Sequence, residues 1–384
     1  MQEKRRTERD GLALLQLPVL KFSKRLERTF MRTTMKDIAK ECGVSVSAVS
    51  LVLSGKAKKG RISESKMEEI RQTARRMNYY LNSAASDLAR GQSRVISMVI
   101  NDIRNSHIAE LDIAISRVLQ NHGYSVVNYI LHDQKEEDQE ELVRRIAAGN
   151  ICALIWAKPF EPSKVQENKR LYEIVDSLGI PVITMDAYDF KSDGMNICYD
   201  YEKAGYLAVN YLIGCGHRRI GCIAGNQEYK VTRDRMIGYR QALKEAGISF
   251  DEKLVYSGDY TMESGSQALS YLMGQHVTAI FAMNDEMAFG VYRSARSYGI
   301  RIPEDLSVVG CDNVPFAEVL ETPLTTVGEP TEQMGIYIGE QLCEAIEKHP
   351  ASMRNQEGKQ RRTVYYQPDL YVRGSVKKIQ SSEA

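Results

Sequence analysis

From Val95 onward the chain alternates short, nearly continuous apolar runs with amphipathic stretches, and few architectures accept that pattern. The runs are VISMVI (95–100), SVVNYI (125–130), CALIWA (152–157), PVITM (181–185), RIGCIAG (219–225), TAIFAM (278–283) and LSVVGC (306–311). Between them lie segments such as ELDIAISRVLQNHG and DRMIGYRQALKEAG, with apolar residues at helical spacing and a closing glycine that suits a left-handed helix stop. Strands that lack polar alternation are covered on both faces, so the pattern predicts an α/β fold with mostly parallel sheets. About 280 residues of it exceed what one sheet usually holds, which predicts two lobes.

Several of these runs end alike. VISMVI leads into Asn101-Asp102, PVITM into Asp186, VYSG into Asp259, TAIFAM into Asn284-Asp285 and LSVVGC into Asp312-Asn313. Ligands of open α/β sheets bind beyond the carboxyl ends of the strands. Acidic and amide groups there, from two facing lobes, make a cleft suited to a small polyhydroxylated or cationic molecule. Each residue singly also fits a helix cap, where Asp and Asn are favoured.

A second stretch, TMKDIAKECGVSVSAVSLVL (34–53), reads as two short helices around a tight corner. Thr34 and Asp37 form a capping box, Ile38 and Ala39 face inward, and Gly43 and Val44 make the corner. Ser45 caps a second helix with Val49, Val52 and Leu53 on its inner face. Its outer residues Val46, Ser47, Ala48 and Ser50 are short enough for backbone to approach base-pair edges. This is helix-turn-helix geometry, although an ordinary pair of packed helices would satisfy the same residues. Ser63 caps a third helix carrying Met67, Ile70, Ala74 and Met77 on one stripe. Between the second and third helices, Lys56, Lys58, Lys59 and Arg61 stand within reach of phosphates, or form a solvated loop. Ser83 to Arg90 has the length of two helical turns, too short to persist alone. Leu88 would be exposed on it unless it wedges into a minor groove, and a plain linker is the alternative.

Charge divides the chain in the same place. Residues 1–91 hold 20 Lys/Arg against 10 Asp/Glu, and the rest hold 31 against 40, a basic front on an acidic body. Hydrophobic content of 43% with 26% charged residues is that of a soluble globular protein. No apolar run approaches the roughly 18 residues of a membrane span. The seven cysteines form no Cys-x-x-Cys pair and no zinc spacing, so the expectation is a cytoplasmic protein with no metal and no cofactor. Residues 1–32 show little periodicity, and with Met31 and Met35 near the first helix they are expected to be a disordered tail or an over-extended reading frame.

Taken together, the chain resembles the lactose/galactose-repressor family of bacterial transcription regulators. The blocks are T-x-x-D-I-A-x-x-x-G-V-S-x-x-x-V-S (34–50), R-I-S-E (61–64), M-N-Y (77–79), A-x-x-L-A-R-G (85–91), G-I-P-V-I (179–183), G-H-R-R-I-G (216–221), R-x-x-G-Y-x-x-A-L (235–243), A-M-N-D-x-M-A-x-G (282–290), I-P-E-D-L-S-V-V-G-C-D-N (302–313), P-L-T-T-V (323–327) and D-L-Y-V-R-G-S (369–375). So many blocks in one order are specific where any one alone is weak.

The resemblance implies a helix-turn-helix domain at 33–78, a hinge at 79–93 with a DNA-induced helix, and a two-lobed periplasmic-binding-protein-like core at 94–375 before a tail at 376–384. It implies a homodimeric repressor on a near-palindromic double-stranded operator, controlled by a sugar-like effector between the lobes. The DNA-contacting positions would be Thr34, Ser45, Val46, Ser47, Ala48, Ser50, Leu51, Lys59, Arg61, Ala85 and Leu88. Leu51 stands where many members carry a polar base-reading group, and it suits a thymine methyl instead. The effector positions would be Arg235, Asp312, Asn284, Asp186, His107 and Tyr260, the arginine fork suiting hydroxyls or carboxylates and the tyrosine an apolar ring face. Three chain crossings would place 94–190 and about 326–355 in one lobe, and 191–321 with the end in the other.

Two other classes compete. A solute-binding module without DNA function leaves the basic front unexplained. An enzyme lacks its usual marks, since there is no Gly-x-Ser-x-Gly, phosphate loop, His-Glu-x-x-His or dinucleotide fingerprint. The reading is therefore a regulator without catalysis.

Overall fold

A computed structural model describes residues 33–55, 57, 62–79, 93–131, 136–157, 165–186, 194–348 and 362–379. The chain divides into two compact units, Met1–Ser86 and Asp87–Ala384.

In the first unit three helices close a small core. Helix α1 (Met35–Cys42) opens with the Thr34–Asp37 capping box and stops at Gly43, whose φ of 61° is the left-handed conformation that glycine adopts without strain. Helix α2 (Val46–Leu53) starts at Ser45, whose hydroxyl accepts from the Ala48 amide at 3.2 Å. Helix α3 (Glu64–Arg76) is capped by Ser63 in the same way. Ile38, Val49 and Ile70 are fully buried where the three helices meet, with Ala39, Cys42, Val52, Met67 and Ala74 around them. The Thr33 hydroxyl donates to the Met77 carbonyl at 2.8 Å, tying the entry of α1 to the end of α3.

The second unit contains two six-stranded sheets. The first is built from β1 (Val95–Ile100), β2 (Ser125–Ile130), β3 (Ala153–Trp156), β4 (Val182–Met185), β5 (Met195–Tyr199) and β11 (Arg362–Tyr366), in the order β11-β5-β4-β3-β1-β2, all parallel. The second is built from β6 (Ile220–Ala224), β7 (Val255–Ser257), β8 (Ala279–Ala282), β9 (Ser307–Cys311), β10 (Thr325–Gly328) and β12 (Asp369–Tyr371), in the order β12-β10-β9-β8-β6-β7. Only the β10–β12 pair is antiparallel. Helices α4 (Ser106–Asn121), α5 (Glu136–Ala148), α6 (Val165–Ser177) and α11 (Thr331–Lys348) belong with the first sheet. Helices α7 (Tyr201–Gly214), α8 (Lys230–Glu245), α9 (Met262–Gly274) and α10 (Asp285–Tyr298) belong with the second.

The lobe boundaries differ from the expectation in three places. Strand β5 pairs with β4 rather than joining the second lobe, β10 pairs with β9 rather than joining the first, and β11, expected with the end of the chain in the second lobe, pairs with β5 in the first. The chain crosses at Asp200, again at Glu329-Pro330, and finally between β11 and β12. Strands β5 and β10 escaped notice because their buried polar residues break the apolar pattern. Thr184 Oγ1 donates to Asn196 Oδ1 at 2.9 Å beside β5, and Thr326 Oγ1 donates to Asp285 Oδ1 at 2.6 Å in β10. A paired polar group is tolerated in a strand core, but its sequence does not look like one.

Helices α7 and α8 approach through glycine. A Cβ on Gly205 would fall 2.1 Å from the Arg235 carbonyl, and one on Gly238 would fall 2.0 Å from the Glu202 carbonyl. That contact sets the height at which α8 carries Arg235. Gly238→Ala is expected to lower stability by about 1–3 kcal/mol through overpacking. Gly214→Ala, with open space around it, should be neutral or stabilising. Urea melts of the two variants test this, and equal midpoints would refute the close-approach account.

Candidate functional site

The first unit presents α2 to solvent. Ser45, Ser47 and Ser50 are exposed, Ala48 is half-buried, and Val46 and Leu51 stand 40% and 44% exposed. These two apolar side chains stand in water on the same capped helix as the exposed serines. The Thr34 hydroxyl donates to Asp37 Oδ2 at 2.7 Å and accepts from the Asp37 amide, so its hydrogen-bonding capacity is largely spent on the cap. This bond is also the main reason the Asp37 carboxyl sits below the usual range. Lys59, Arg61, Ala85 and Leu88, and the short helix expected over 83–90, lie outside the described residues.

In the second unit, the six cleft residues come from separate elements of both lobes. Arg235, on the second turn of α8, is 4% exposed. Its Nη2 donates to Asp312 Oδ1 at 2.8 Å, its Nη1 donates to the Met283 carbonyl, and its guanidinium lies 5.1 Å from the centre of the Tyr201 ring. Asp312 leaves β9 with φ 113°, its amide held by the Val327 carbonyl at 2.6 Å. Gly328 allows this, since a Cβ there would meet the Asp312 carbonyl group at 2.8 Å. Asp186 and Tyr260 also have positive φ, 52° and 69°. Backbone held in the left-handed region at three cleft positions is strain of the kind that collects at binding sites.

Asp186 ends β4 and faces the start of α7. Its Oδ2 accepts from the Tyr201 hydroxyl at 2.7 Å and its Oδ1 from the Tyr199 amide at 3.2 Å. Burial nevertheless pushes its carboxyl up to about 7, with these two bonds opposing. His107, in the first turn of α4, lies 3.4 Å from the Tyr199 hydroxyl through Nε2 and 3.3 Å from Thr331 Oγ1 through Nδ1. Burial lowers its basicity, with Asp312 opposing and Arg235 reinforcing the shift. The lobes touch where the Ser106 hydroxyl donates to Glu286 Oε1 at 2.7 Å.

Asn284 and Tyr260 do structural work as well. The Asn284 side chain caps α10 by accepting from the Met287 amide at 2.9 Å, and its Nδ2 donates to the Tyr260 carbonyl at 3.0 Å. The Tyr260 ring lies flush on Gly225 and its hydroxyl meets Thr232 Oγ1 at 2.7 Å. One face of that ring is therefore already covered by backbone. Asp285 is fully buried and serves the fold, accepting from Thr326 and from the Val314 amide.

Sequence reasoning missed Glu329. It stands just after β10 and is 3% exposed, and its Oε1 has no hydrogen-bond partner. Burial pushes its carboxyl up to about 8, Arg235 opposing and Asp312 adding to the rise. An acidic residue beyond a strand end was the available signal, and it was lost because TTVG did not read as a strand. Among the described residues no cluster of His, Cys, Asp or Glu is arranged to hold a metal ion, and no helix is long and apolar enough to cross a membrane. The cysteines are free.

Comparisons with known proteins agree with this geometry. The profile described as "Bacterial regulatory proteins, lacI family" matches residues 34–82, and "Periplasmic binding protein-like domain" matches 209–376. The chain is 32% identical over 350 residues to the HTH-type transcriptional regulator DegA of Bacillus subtilis (strain 168), covering 90% of this chain and 98% of that one. It is 31% identical over 306 residues to the HTH-type transcriptional repressor CytR of Escherichia coli (strain K12), covering 79% and 86%. Among solved structures, a transcriptional regulator CelR–cellobiose complex superposes with a TM-score of 0.62 at 26% identity, covering 90% of this chain and 100% of that one. These relatives are regulators of transcription, not enzymes.

The raised carboxyls set a pH dependence. A folded state that keeps protons on Asp186 and Glu329 after the unfolded chain has released them loses stability as pH rises from about 4 to about 8. Removing one such group flattens the decline. Ligand-free Glu329→Gln is expected to exceed the parent in unfolding free energy at pH 8.5, by an amount on the order of a few kcal/mol, and to match it near pH 4.5. Parallel profiles across that range would refute the assignment.

Proposed function

We propose, given that this chain belongs to the LacI family of bacterial transcriptional regulators, that it binds a near-palindromic operator as a homodimer and acts as a repressor controlled by a small sugar-like effector in the cleft between its lobes. That the chain is a DNA-binding regulator follows from the family; the operator symmetry, the dimer and the effector are the reading advanced here. The observation that carries it is the buried Arg235–Asp312 pair, set between two lobes and flanked by His107 and Asp186 from the opposite side. The pair lies within the second lobe and does not itself tie the lobes together, so a ligand that hydrogen-bonds both lobes shifts the balance between open and closed arrangements.

The domain plan that supports this reading is a helix-turn-helix at 33–78, a hinge at 79–93 and the effector core at 94–375. Ser45, Val46, Ser47, Ala48, Ser50 and Leu51 would meet the major groove, with Lys59 and Arg61 on phosphates. Ala85 and Leu88 would enter the minor groove on a helix that forms only on DNA. A homodimer is supported by exposed apolar side chains at the edge of the first sheet, Val127 and Ile130 on β2 with Ile113 on neighbouring α4. The cellobiose complex of a related regulator supports a sugar-like effector. A protein with this task and free cysteines works in the cytoplasm.

Because the operator and effector equilibria share one lobe arrangement, each ligand alters the other's affinity reciprocally. Selection of bound fragments from random duplexes, with and without a pool of small metabolites, tests the whole reading. Symmetric sites whose recovery changes with the pool are expected, and no preference under any condition would sink it. Leu88→Ala is expected to weaken specific operator binding at least about tenfold at matched salt while effector binding persists. Equal operator affinity in the two proteins would refute the hinge assignment.

A further inference from the structure

Two buried polar atoms in the cleft are unanswered, and they are complementary. Glu329 Oε1 is an acceptor without a donor, and Arg235 Nε is a donor without an acceptor, on side chains 3% and 4% exposed. Glu329 stands on the segment by which the chain crosses between lobes, directly after β10 of the second sheet and two residues before α11, which packs on the first. Of the four carboxylates here, Asp234 pairs with Lys230 and Asp312 pairs with Arg235. Asp186 is answered by the Tyr201 hydroxyl and the Tyr199 amide. Glu329 is the carboxyl left without a donor, and burial keeps it protonated up to about pH 8.

Leaving a buried carboxyl oxygen unpaired is unfavourable, and ligands of different charge answer it differently. An anionic ligand would add to the repulsion. A neutral polyol supplies a hydroxyl donor and leaves the carboxyl in its protonated form. An ammonium draws the carboxyl into its ionised form, supplying a donor and the opposite charge in one group, the stronger kind of hydrogen bond. Arg235 Nε calls for an oxygen acceptor in turn.

We propose that Glu329 selects an effector of the amino-sugar class, a protonated amine donating to Glu329 Oε1 while an adjacent hydroxyl or ring oxygen accepts from Arg235 Nε. This rests on the effector-cleft reading above and names the chemistry of that same site. Closure of the two lobes then brings the amine into contact with the segment by which the chain recrosses, so occupancy is sensed at a crossing between lobes.

The experiment uses the full chain and three sugar sets, each an amine with its neutral parent and its N-acetyl form: glucosamine, galactosamine and mannosamine with glucose, galactose and mannose. Binding is read by titration calorimetry. At least one amine is expected to bind about tenfold or more tightly than both uncharged forms, a difference that one charge-assisted bond supports. Glu329→Gln should shrink that preference to within about threefold, while Glu332→Gln, an exposed glutamate on the next helix, should keep it. Uncharged forms binding as tightly as amines, a preference that survives in Glu329→Gln, or no amine binding at all would each overturn the proposal. A neutral sugar that binds and changes operator affinity would overturn this proposal and leave the effector reading standing. A cleft in which no sugar or metabolite changes operator affinity would bring down the effector reading itself.

Discussion

The Arg235–Asp312 pair governs the architecture of the second unit. Both groups are taken out of water, and such a pair holds only when its geometry is good and its remaining hydrogen bonds are met. The surroundings are arranged to that end. Gly205 and Gly238 let α7 and α8 approach until Arg235 reaches the end of β8, where the Met283 carbonyl takes Nη1. The Tyr201 ring covers the guanidinium, and Gly328 gives Asp312 room for its unusual backbone. One atom of the fork, Nε, is left without an acceptor.

The crossings extend that logic. The chain passes between lobes at Asp200, at Glu329-Pro330 and between β11 and β12, so relative lobe motion is confined to three short segments. The first is pinned by the Asp200 amide on the Tyr366 carbonyl and by Lys203 on Gln367. The second carries Glu329 and then Thr331, whose hydroxyl meets His107. Groups that a ligand would touch therefore sit on or beside the hinges.

Much of this was legible in the residues. The caps at Thr34, Ser45 and Ser63, the corner at Gly43 and the stripe on α3 follow from local rules that apply within a few residues. The parallel sheets were legible where a run was wholly apolar, as in VISMVI and TAIFAM. Strands β5 and β10 were not, because Asn196 and Thr326 are accepted in the interior only through partners on other segments. The same non-local dependence hid Glu329, and it left Asn284 with a capping role that spacing alone could not separate from ligand contact.

What the sequence determined by itself was the alphabet of the protein: a capped helical corner with small outer residues, an acidic body of parallel strands, and polar groups at the strand ends. Local propensity and hydrophobic period decide these, because each depends on neighbours a few positions away. Only the tertiary structure decided which polar groups meet, which are satisfied and which remain open. Arg235 and Asp312 are 77 positions apart, and the worth of their contact comes from a water-poor cleft that exists only once both lobes have folded.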